Sequence, residues 1–155
     1  MLDLSSYTGL SLQFDTKKNK LLIDANNTTF CSENNFKLED LKPTLLNRIL
    51  IYPEYIYTEY RKIYNCCDKE KFENTKLKHN LIMIPPNLLG IEYAKTHCYT
   101  SPLRTPTKSA CILECIYGVM TVLIQVRKPR GAENECEVFE SALIKAKKIL
   151  SNYIE

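Results

Sequence analysis

Apolar and polar positions alternate cleanly at the start of the chain. Leu10–Phe14 (LSLQF) repeats with a period of two, and Lys20–Asp24 (KLLID) follows the polar turn DTKKN. The pair reads as a β-hairpin. Ala25–Lys37 is polar and rich in Asn, which predicts a loop. Leu38–Leu46 (LEDLKPTLL) could start a short helix, which Pro43 either limits to about a first turn or pushes to a later start. Tyr55–Tyr64 (YIYTEYRKIY), dense in aromatic and β-branched residues, predicts a long strand.

The second half continues in the same manner. Asn65–Thr75 reads as a loop, Leu77–Ile84 as a strand closed by Pro85–Pro86, and Ile91–Thr96 as another short strand. Ser101–Ala110, with two prolines, predicts a loop. Cys111–Ile116 and Val119–Arg127 predict strands joined by a tight turn at Tyr117–Gly118. In the second of these Met120, Val122, Ile124 and Val126 share one face. From Glu137 to Tyr153 the period changes. Phe139, Ala142, Leu143, Ala146, Ile149, Leu150 and Tyr153 recur at helical spacing, which predicts an amphipathic helix. Many strands before a single helix predict a mainly β chain, an antiparallel barrel or sandwich.

Composition narrows the function classes. The 155 residues are 45% hydrophobic and 25% charged, an ordinary globular balance for one domain over residues 1–155. The net charge of +3 is scattered, with no dense basic block to read as a nucleic-acid interface. The N-terminus carries Asp3 and no basic leader, so it does not read as a secretory signal. The most apolar stretch, Cys111–Val126, is interrupted by Glu114 and Gly118 and is too short to span a bilayer. The expectation is a cytoplasmic protein with no membrane partner. Seven cysteines and no C-x-x-C pair fit reduced thiols better than a disulfide framework or a zinc site.

The order of segments resembles one family. TGLSLQFDTKKNKLLI, LEDLKPTL, IYTEYRKI, IPPNLLGIEYAKT and ILECIYGVMTVLIQ follow each other as the elements of archaeal-type, cupin-fold glucose-6-phosphate isomerases do. The best match is Pro85–Thr96, similar to that family's PG-x-x-G-x-E-[aromatic]-x-x-T run. The resemblance implies a cupin barrel, usually a homodimer. It implies interconversion of glucose 6-phosphate and fructose 6-phosphate by acid–base chemistry beside a divalent metal (iron, manganese or zinc). It also implies that Tyr57 and Thr96 lie near the substrate phosphate, with Tyr60 and Lys95 close by.

The chain departs from that pattern at the metal. With Gly90, Glu92 and Thr96 aligned, the family's H-x-H falls on Tyr99, Thr100 and Ser101, and its Glu ligand on Cys111. His97 lies two positions before the first of these, on the face it would share with Tyr99, so a metal is expected only at a shifted site. Glu114 is three residues from Cys111 and has the opposite strand parity. Cys115 shares Cys111's parity but lies about 13 Å along a strand, too far to grip the same ion. His79 reads as a hydrogen-bonded strand residue. The 155 residues hold no counterpart of the family's third His near a second Pro-Pro motif. A barrel left incomplete at the C-terminus would need the final helix, or a partner chain, to cover its edge. The sequence therefore supports two readings: an isomerase-like cupin protein with an altered metal site, and a non-catalytic cupin-like binding or assembly module.

Overall fold

The computed structural model describes residues 1–75, 78–96, 112–127 and 136–145, with 123–127 and 136–145 described by their backbone. The chain divides into two compact units, Met1–Arg104 and Thr105–Glu155. The described residues are mainly β. Their strands form five small antiparallel sheets and no closed barrel.

In the first unit, β1 (Leu2–Asp3), the one-turn helix α1 (Ser5–Thr8), β2 (Leu12–Asp15) and β3 (Lys20–Ile23) come first. The expected hairpin is there, with Leu12 opposite Ile23 and Phe14 opposite Leu21. Leu12 and Phe14 are buried and Gln13 is exposed, as a period of two requires. Next come β4 (Thr28–Thr29) and β5 (Ser32–Lys37), where polarity had predicted a loop. β5 is the edge of a sheet ordered β5-β6-β8, and its burial alternates residue by residue. An edge strand needs only one half-buried face, so a sequence as polar as SENNFK serves.

The helix α2 (Leu38–Leu41) is one turn long and passes into a 3₁₀ turn at Lys42–Thr44. Pro43 occupies an early position of that turn, where its missing N–H costs nothing. Strand β6 (Tyr55–Arg61) is central to its sheet and has five consecutive buried residues. It is followed by β7 (Tyr64–Asn65), a 3₁₀ turn at Cys66–Asp68 and α3 (Lys69–Asn74), a second element inside an expected loop. Phe72 of α3 stacks on Tyr64 with ring centroids 5.2 Å apart. The strands β8 (Leu81–Met83), β9 (Leu88–Leu89) and β10 (Glu92–Tyr93) complete the unit. Its main core gathers Leu38, Leu41, Leu45, Ile56, Tyr57 and Leu89.

The second unit contains β11 (Val119–Arg127) and β12 (Cys136–Lys145), an antiparallel pair. Two expectations are corrected here. Residues 112–116 are not a strand, so β11 pairs forward with β12 rather than back across Tyr117–Gly118. The C-terminal amphipathic helix from Glu137 is, over Cys136–Lys145, a strand. The register shifts between Ile124 and Gln125, which oppose Glu140 and Val138 and leave Phe139 extra. The bulge at Phe139 breaks the period of two, and Phe139, Ala142 and Leu143 had mimicked helical spacing. Residues 146–155 of the expected helix lie outside the described residues. No helix among the described residues is long and apolar enough to cross a membrane.

Candidate functional site

The run Pro85–Thr96 folds as a small hairpin. Leu89 pairs with Glu92 and Leu88 with Tyr93, leaving Gly90 and Ile91 as a two-residue turn. Gly90 has φ +72°, and glycine at the first turn position is what a type II′ hairpin requires. The hairpin is anchored at three points. The Leu89 side chain is fully buried in the core. Glu92 Oε2 accepts the Leu46 N–H at 2.7 Å. Lys95 Nζ donates to the Thr44 carbonyl at 2.9 Å and to Glu92 Oε1 at 2.5 Å. The Lys95 ammonium, then the Leu46 N–H, hold the Glu92 carboxyl below its ordinary value.

The two residues expected near a phosphate come from different elements. Tyr57 lies inside β6, 3% exposed, with its ring stacked on Phe36 at 4.3 Å and 14° between planes. Cross-strand pairing sets this contact, since Phe36 is the register partner of Tyr57. Thr96 follows Lys95 and is half-buried. Tyr60 is 6% exposed, edge-on to Phe30 at 5.3 Å. Burial, and then the Glu33 charge, push its phenol pKa up.

His79 is hydrogen-bonded as expected but lies before β8, not in a strand. Its Nδ1 lies 3.1 Å from the Ile63 carbonyl, and the Ile63 N–H donates to the His79 carbonyl at 2.8 Å. His97, Tyr99, Thr100, Ser101 and Cys111 lie outside the described residues. Among the described residues no three His, Cys, Asp or Glu side chains gather as a metal-binding group. At the aligned ligand positions Tyr99, Ser101 and Cys111 do not make up the imidazole-and-carboxylate set that such an isomerase metal takes.

One polar cluster escaped the sequence reading. Glu59, 3% exposed at the centre of β6, accepts from Arg61 Nε at 2.7 Å and from Asn80 Nδ2 at 3.1 Å. Asn80 Oδ1 also accepts the Lys62 N–H at 3.1 Å, where Lys62 has φ +50°. The signal was present in YIYTEYR: an acid in the middle of an aromatic strand, with Arg two residues on and so on the same face. An open groove of about 390 Å³ lies elsewhere, along β2 and β3 between Ser5, Ser11, Gln13 and Asp24, and neither Tyr57 nor Thr96 borders it.

Comparison with protein-family models, with curated proteins and with solved structures returned no match.

Proposed function

We propose that the chain is a non-catalytic binding or assembly module on a cupin-like β scaffold. The observation that carries this reading is the double anchoring of the Thr44–Leu46 backbone by Glu92 and Lys95. These are the two charged residues of the run most like an isomerase, and both are engaged with their own scaffold. The packing of Tyr57 against Phe36 supports the same reading, because a ring 3% exposed offers its body to the core. Fold resemblance does not fix function, and the chemistry of these side chains is architectural. A cytoplasmic setting goes with this reading, since Cys31, Cys66 and Cys67 are exposed free thiols.

The test is a coupled isomerase assay on the full chain with added iron, manganese or zinc. The module reading expects no turnover above the protein-free rate with any of the metals. Metal-dependent turnover defeats it.

A second reading, an isomerase-like protein that retains sugar-phosphate binding, draws on Thr96. Thr96 is half-buried and follows Lys95 in sequence, and a threonine hydroxyl can donate to a phosphate oxygen. Calorimetric titration with glucose 6-phosphate tests it. Saturable binding that Thr96→Val weakens supports this reading, and no heat of binding removes it.

A further inference from the structure

Two adjacent cysteines stand apart from the other chemistry of the first unit. Cys66 and Cys67 form the 3₁₀ turn between β7 and α3, together with Asp68. Both are exposed free thiols, and neither sulfur is hydrogen-bonded. Their backbone is fixed on either side. The Cys66 N–H donates to the Asn27 carbonyl at 2.8 Å, and Asn65 Nδ2 donates to the Gly9 carbonyl at 2.7 Å. Beyond the turn, Phe72 of α3 stacks on Tyr64 of β7. The two thiols are thus presented to solvent on an anchored turn, and anchoring in advance lowers the cost of binding.

The spacing decides what such a pair can hold. Neighbouring Cα atoms are ~3.8 Å apart, short of the ~4.4–6.8 Å of an ordinary disulfide. A direct bridge is disfavoured, and the pair stays a dithiol. A single thiophilic centre, bonded to each sulfur at about 2.3 Å, needs the sulfurs only about 3–4 Å apart. A closed zinc site would need four ligands. Here Asp68 is committed to the Lys71 ammonium at 2.6 Å, and no third metal-binding side chain gathers among the described residues. What fits is a soft centre that two thiolates satisfy. Lys71 is held protonated by Asp68 first and, in smaller part, by Cys67. A positive charge therefore lies beside the sulfurs and offsets the charge they carry as thiolate ligands. We infer that Cys66 and Cys67 are a capture site for a trivalent arsenical. Capture forms two sulfur–arsenic bonds as the arsenic–oxygen double bond breaks. Both thiol protons leave with the oxygen as water, and arsenic stays trivalent.

Intact-mass measurement on the reduced full chain treated with phenylarsine oxide tests it. The wild-type chain is expected to keep an arsenical against an excess of a monothiol and to give it up to a small dithiol. Cys66→Ser and Cys67→Ser, each verified as folded by circular dichroism, are expected to weaken its retention by at least ~100-fold, the gain that two linked ligands provide over one. Cys31→Ser changes an exposed thiol outside the turn and is expected to leave retention intact. A wild-type chain that keeps no arsenical overturns the inference. So does an arsenical that either turn variant holds as tightly as the wild type, or one that is lost with Cys31. Isomerase turnover would defeat the module reading and leave this site standing, so the two failures are distinguishable.

Discussion

Glu92 accepts the backbone N–H of Leu46 at 2.7 Å, across 46 residues of chain. The same carboxylate holds Lys95, whose ammonium reaches the Thr44 carbonyl. One acid and one base thus tie the β9–β10 hairpin to the loop after α2, and the loop's backbone polar groups gain partners that water would otherwise supply.

The tie is sensitive to acid. The folded-state carboxyl of Glu92 is held below its ordinary value of 4.5 by Lys95 and by the Leu46 N–H. A lowered folded value contributes stability that is fully present above pH 4.5 and is lost as pH falls through the folded value. Asp3, bonded by Ser5, and Asp15, bonded by the Lys18 N–H, act in the same direction. Urea midpoints measured from pH 7 down to pH 2 are expected to fall below pH 4.5. Glu92→Gln is expected to flatten that decline while lowering the midpoint at pH 7.

Leu89 and Gly90 hold the hairpin by different means. Leu89→Ala empties a fully buried position and is expected to cost about 2–5 kcal/mol in urea unfolding. Gly90→Ala meets only ordinary contacts, with Asn47 at 3.6 Å, so its cost comes from φ +72°. That conformation costs an L-residue about 1–2 kcal/mol. An unchanged midpoint for Gly90→Ala would show that the turn is not the one described.

The Glu59 cluster predicts a smaller effect. Asn80→Ala removes one donor from a buried carboxylate and the acceptor of the Lys62 N–H. Asn80 itself is exposed, so water can replace part of the loss. The expected destabilisation is about 1 kcal/mol, readable as a lower urea midpoint with an unchanged slope.

The stack of Tyr57 on Phe36 should appear as coupling. In a double-mutant cycle with Tyr57→Leu and Phe36→Leu, the coupling energy is expected to be about 0.5–1.5 kcal/mol. Additive effects would mean that the rings do not support each other.

Much of the fold was legible where a strand has one buried face and one wet one. The alternation of Leu12, Gln13 and Phe14 gave the first hairpin, and Pro43 gave the break after α2. The pattern failed where tertiary partners decide. The edge strand Ser32–Lys37 carries a single large apolar residue, Phe36, so its composition hides it. The strand Cys136–Lys145 is bulged at Phe139, which breaks its period of two, and Phe139, Ala142 and Leu143 imitate helical spacing. At the site, the run Pro85–Thr96 was readable as a distinct segment, but the hairpin turn at Gly90 was not, since the strand expectation began only at Ile91. The use of Glu92 and Lys95 was not, because their partners are backbone groups of Thr44 and Leu46, which carry no side-chain signature.

Amide hydrogen exchange at Leu46 tests most directly whether Glu92 serves the scaffold. Protection is expected in the wild-type chain, it is expected to persist on addition of manganese and glucose 6-phosphate, and it is expected to fall in Glu92→Ala, which removes the acceptor. A Leu46 amide that exchanges freely in the wild type, or one released when metal and sugar phosphate are added, would contradict the account.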